Sequence, residues 1–170
     1  MPNFDPDDIE RVIPIAVKVA IADLVLAFAN LDSVLGACLI LEYGMDLATG
    51  SILIENLDIG TKIGRLRRLY QHNRREEDDK IFLRFKKEYE KWREARNTIS
   101  HARCSGVRKS DPSWVIFSPV RATIGAAGAM QIHLIHVNQM EHDKNWANKW
   151  TVFIMDKFCE IADKLPEPEK

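Results

Sequence analysis

Residues 91–102 read Lys-Trp-Arg-Glu-Ala-Arg-Asn-Thr-Ile-Ser-His-Ala and bring Arg96, Asn97 and His101 together at the end of a long helical pattern. A guanidinium is an anion-binding group and an imidazole a proton carrier near neutral pH, so this stretch reads as the functional centre. At about 100° per residue, Phe82, Phe85, Tyr89, Trp92 and Ile99 form one apolar stripe. Arg96 falls inside that stripe, where a hydrophobe is expected, so its charge needs a compensating group. Arg93, Asn97, Ser100 and His101 lie on the adjoining face. His101 is about 140° around and about 7.5 Å along from Arg96, so the two would flank a polar cleft.

The elements that must position this cleft follow from the rest of the chain. With 170 residues and 46% hydrophobic content, the chain reads as a single domain, residues 1–170, with a sizeable core. A formal net charge of -1 gives no global field toward nucleic acid or membrane, so any polyanion site must be a local patch. Cys38, Cys104 and Cys159 are too few and too scattered for a disulfide framework or a metal knuckle, which suggests a reducing compartment. The N-terminus is acidic where an export signal would be basic, so a cytoplasmic protein is expected.

Asp5 followed by Pro6, Asp7 and Asp8 reads as a helix start, and Ile9 to Leu41 is helical in character. Lys18, Asp23, Asn30 and Asp32 interrupt this run too often for a membrane span, so a buried central helix is expected. Pro14 should kink or break it unless the helix begins there. Gly44 supplies the stop. Two shorter helices follow between Asp46 and Asn73, broken around residues 57–60. A helix from about Asp78 to about Ser100 then leads into Cys104–Ser113, which reads as a polar loop. Trp114–Val120 and Met130–Val137 read as a hairpin with its tip at residues 125–128, and Pro119 marks its first strand as an edge. Asn138 and Glu141 fit a capping box opening a last helix with Trp150, Ile154, Phe158, Ile161 and Leu165 at core spacing. The fold class is thus mainly α, a bundle of about five helices with a β-hairpin inserted before the last one.

The most basic stretch contains Lys62, Arg65, Arg67, Arg68, Arg74 and Arg75 with no intervening acid, and it offers phosphate partners to a polyanion. Glu76, Glu77, Asp78 and Asp79 follow at once and could answer these charges within the fold.

Arg96-Asn97-Thr98-Ile99-Ser100-His101 resembles the signature of the HEPN superfamily, the higher eukaryotes and prokaryotes nucleotide-binding domains. That signature is an arginine, usually followed by a polar residue, with a histidine four to six positions on, late in a helical bundle. Arg67 and Arg65 precede His72 at permitted spacings too, but only Arg96 has the following asparagine and closes the long helix. HepT-like toxins of this superfamily carry a tyrosine two residues after the histidine, and here that position is Arg103, a departure from that subfamily.

The resemblance implies metal-independent RNA cleavage, or RNA binding without it, with no cofactor and no metal. Arg96 would hold the phosphate, His101 would transfer the proton of the ribose 2′-hydroxyl, and Asn97 or Ser100 would orient imidazole or substrate. Arg93, Ser100, Arg65, Arg67 and Arg68 are the expected substrate contacts. One histidine manages one proton transfer, so a homodimer with the site at its interface is expected to supply the second. The family also implies bacterial defence or stress response.

Three other readings stand beside this one. Arg96 could be a structural arginine paired with Asp23 or Asp32, in a non-catalytic dimerisation module that binds a partner protein. His133, His136 and His142 could be metal ligands, although 133 and 136 point to opposite faces of a strand. Cys104 near His101 could be a thiol nucleophile, but no orienting third group is evident.

Overall fold

Two prolines set the first elements, and the outcome differs from the continuous helix expected after Asp5. In the computed structural model, which describes residues 5–119 and 132–162, Asp5 caps only a single 3-10 turn, Pro6–Asp8. A two-residue strand β1 (Ile9–Glu10) follows, and helix α1 (Ile15–Glu42) begins just after Pro14. The Pro14 carbonyl accepts from the Val17 and Lys18 amides at 3.1 Å each, so the proline sits where its missing N–H costs no helical bond.

α1 ends as expected at Gly44, whose φ of 61° lets the Met45 amide reach the Ile40 carbonyl at 3.1 Å. Then come α2 (Leu47–Ile54), α3 (Ile59–His72) and α4 (Glu76–His101). Asp46 and Asp58 cap α2 and α3, each accepting a backbone N–H at 2.9 Å. β2 (Ala102–Arg108), β3 (Trp114–Pro119) and β4 (His133–His136) precede α5 (Val137–Ala162). The described residues are mainly α, with five helices and one four-stranded antiparallel sheet in the order β1-β2-β3-β4.

The chain divides into two compact units. The first comprises Met1–Ala27 with Trp92–Asn145, the second Phe28–Lys91 with Trp146–Lys170. α1, α4 and α5 each contribute residues to both.

The first unit holds the sheet. Much of what reads as a polar loop after residue 104 is strand, because Asp8 ties the N-terminal turn to the end of β2. Its carboxylate accepts from Arg108 Nε at 2.8 Å and from the Ser110 amide and hydroxyl at 2.8 and 2.7 Å. These bonds, those of Ser110 above all, hold the Asp8 carboxyl down at about 2. β3 is not an edge strand: it lies between β2 and β4, and Val115, Ile116 and Phe117 are all buried. Pro119 is its last residue and pairs with Ala102, and among the described residues the β3–β4 ladder ends at Phe117, before the proline. The expected hairpin tip, residues 125–128, lies outside the described residues, as does Leu165.

No Asn138 capping box forms. α5 begins at Val137, and His136 Nδ1 accepts the Asn138 amide at 3.1 Å, so the strand's last histidine caps the helix.

The second unit is built on aromatic packing. Phe82 meets Tyr70 and Phe85 edge-on, and Phe85 stacks on Trp150 with ring centroids 4.2 Å apart. Glu88 Oε2 accepts both indole N–H groups, from Trp146 at 3.0 Å and Trp150 at 2.9 Å, so neither buried indole lacks a partner. Leu31, Leu35, Leu39, Ile63 and Leu66 fill the remaining core.

α1 is not buried on all sides, as its composition suggests. Val17, Leu24 and Leu31 are buried, yet Ile15, Val19, Val25 and Leu26 are exposed. α1 is long and apolar enough to cross a membrane, by length and composition alone, and half of its most apolar window is buried within the fold.

Candidate functional site

Arg93, Arg96, Asn97, Ser100 and His101 all lie in the last three turns of α4, within the first unit. The helix stops at His101 because Ala102 passes directly into β2, paired with Pro119. That junction fixes the helix end to the sheet without a connecting loop. Arg96 and Asn97 are half-buried, and Ser100 and His101 are exposed. The Arg96 guanidinium donates from Nη1 to Asn97 Oδ1 at 3.1 Å.

No carboxylate forms an ion pair with Arg96 among the described residues. Neither of the two acids that would make it a structural arginine pairs with it. Asp32 accepts Lys62 Nζ at 2.8 Å, and Asp23 lies 3.8 Å from Lys144 Nζ. Asn97 offers a neutral carbonyl oxygen, which orients the guanidinium without cancelling its charge, so the planar fork keeps donors for an oxyanion. Position 103 is an exposed arginine.

The basic stretch belongs to the second unit and is largely committed internally. Lys62 is buried against Asp32, Arg67 donates to Asp79 at 2.8 Å, and Arg75 bridges Glu42 and Asp78 at 2.7 Å each. Arg68 and Arg74 are exposed and Arg65 is half-buried; none of the three forms an ion pair among the described residues. The acids at 76–79 therefore answer part of the run, and Glu42 and Asp32 from α1 answer more. A groove of about 450 Å³ in this unit, flanked by Asp32, Gly36, Ile40, Ile52 and Lys62, contains no residue of the Arg96 motif.

His142 stacks on Trp92 with centroids 4.8 Å apart, and His136 meets Trp114 edge-on at 5.0 Å. Among the described residues, no three His, Cys, Asp or Glu side chains gather as a metal-holding group. Burial pushes the Cys104 thiol up, away from the thiolate a nucleophile needs. Cys38 is pushed up to about 12, first by burial and then by the Glu42 charge.

Asp143 is a titratable group that pattern reading passes over. It is buried at the start of α5, burial pushes its carboxyl up to about 6, and Gln139 Nε2 donates to it at 2.6 Å. Its only sequence signal is the i,i+4 spacing from Gln139, which surface pairs share.

No protein-family model, no curated protein and no solved structure matches the chain.

Proposed function

We propose that this protein is a metal-independent endoribonuclease of HEPN type that acts as a homodimer. The observation that carries the reading is the state of Arg96: a guanidinium oriented by Asn97, unneutralised by any described carboxylate, on the same helix end as an exposed His101. Arg93 and Ser100 extend the polar face of that end, and Arg65 and Arg68 are further phosphate contacts. Arg67 is the weakest of the proposed contacts because Asp79 already occupies it.

Arg96 grips the scissile phosphate and stabilises the negative charge that builds on its oxygens. His101 takes the proton of the ribose 2′-hydroxyl as that oxygen attacks phosphorus. The bond from phosphorus to the 5′-oxygen breaks, and the leaving oxygen takes a proton from the His101 of a second copy. The products are a 2′,3′-cyclic phosphate and a 5′-hydroxyl. A role in bacterial defence or stress rests on the family resemblance alone, and a cytoplasmic location on the few, scattered cysteines.

The direct test is incubation of purified protein with labelled single-stranded RNA in excess chelator, with analysis of the product ends. Cyclic phosphate ends support the reading, whereas intact RNA or 3′-hydroxyl ends refute it. The second reading, a non-catalytic module that dimerises or binds a partner protein, is favoured by the exposed apolar residues of α1.

A further inference from the structure

The exposed side of α1 within the first unit carries Ile15, Val19, Ala22 and Leu26, at successive spacings of four, three and four. Spacings of four, three and four suit a seam between two helices. Directly opposite, at the heptad's outermost position, stand Val17 and Leu24, both buried. The helix therefore has two apolar faces, one packed within the chain and one turned to solvent. Ile15 is 78% exposed, Leu26 60% and Val19 51%, a cost that a monomer would avoid with polar residues.

We propose that this seam pairs with the α1 seam of a second copy, parallel and in register. Charge selects the occupant and its direction. In a parallel pair, the residue just before one seam position faces the residue five further along on the partner helix. Here those two positions are Lys18 and Asp23, so each copy's Lys18 meets the Asp23 of the other, twice over. Lys18 is exposed and forms no ion pair among the described residues, and Asp23 is held only at 3.8 Å by Lys144. Ala22 lets the backbones approach while Val19 and Leu26 fill the space beside it. The seam from Ile15 to Leu26 is about 17 Å long. One helix pair of that length lies near or below the lower end of specific interfaces, so the dimer is expected to dissociate on dilution through the micromolar range.

This inference does not depend on RNA cleavage. Sedimentation equilibrium across that range tests it on the full chain. The wild type is expected to pass from monomer to dimer. Leu26→Glu should weaken the dimer at least about tenfold with an unchanged circular dichroism spectrum, since Leu26 touches solvent and not the core. Lys18→Glu and Asp23→Lys should each weaken it, and the double exchange should restore it. Direction is read with Leu26→Cys in a Cys159→Ser background, because a parallel seam sets each position against itself. A disulfide-linked dimer from that single cysteine is expected under oxidised glutathione. A monomer at about 100 μM, a dimer indifferent to Leu26→Glu, or cross-linking only when Ile15→Cys is mixed with Leu26→Cys overturns the proposal. So does binding to phosphatidylcholine vesicles that Leu26→Glu abolishes, which would assign the face to lipid.

Discussion

Arg96 is the residue whose surroundings separate an RNA-cleaving protein from a structural one. Had Asp23 or Asp32 closed on it, the guanidinium would be spent within the fold, and its loss would leave a buried acid unpaired. Instead Asn97 orients it. Arg96→Lys keeps the charge and loses the planar fork, so cleavage should fall by about 10² or more while thermal stability changes little. Rates and melting temperatures measured on the same preparation check this. Asp143 gives a second prediction at this scale. Its carboxyl keeps its proton up to about 6 in the fold, against 3.8 for the ordinary group. Between those values the folded chain binds more protons than the unfolded one, so stability should fall as pH rises from about 4 to about 6 and stay low above. The size is roughly 2 to 3 kcal/mol. Asp143→Asn keeps an oxygen for Gln139 to donate to and should flatten this dependence in urea titrations across that range. Neither the Asp143 environment nor the lack of a described acid beside Arg96 is legible in sequence, because both depend on which distant side chains do or do not arrive.

At the scale of elements, the number of helices was readable because their signals are local, whereas the start of α1 and the cap of α5 were not. Asp46 and Asp58 cap, Gly44 stops, and Phe82, Phe85 and Tyr89 keep a regular period on α4 and are all buried. β2 was not readable, because a strand of Ala-Arg-Cys-Ser-Gly-Val-Arg lacks alternation and owes its form to neighbours β1 and β3. Gly106 is the key to that strand. Its φ is 147°, and a side chain there would overlap the Glu10 carbonyl oxygen at the irregularity in the β2–β3 register. Gly106→Ala should therefore destabilise the protein by about 2 kcal/mol or more, measurable by chemical denaturation. The opposite sign is expected at the end of α3. Arg74 has φ 56°, and the Arg75 amide reaches the Tyr70 carbonyl at 2.8 Å, the same turn that Gly44 makes after α1. Arg74→Gly should stabilise by roughly 0.5 to 1 kcal/mol, since a left-handed residue without a Cβ carries no penalty.

At the scale of the whole molecule, the proposed chemistry asks for two copies, because RNA cleavage needs a base and an acid and the motif offers one histidine. The charge pattern limits how RNA can be held. Lys62, Arg67 and Arg75 are answered by acids, so the basic stretch has Arg65, Arg68 and Arg74 left to offer. At about 0.7 per phosphate on a single strand, that stretch should contribute a log–log salt slope of about two, where the bare sequence count of six suggests about four. Binding isotherms at several salt concentrations, with Arg68→Ala as comparison, measure it. The measurement that bears most directly on the central claim is RNA cleavage in chelator by wild type and His101→Ala at matched concentration. The wild type should cleave, and the variant should fold, bind RNA with similar affinity and cleave about 10² to 10⁴ times more slowly. No cleavage by the wild type, or equal cleavage by both, would contradict the account.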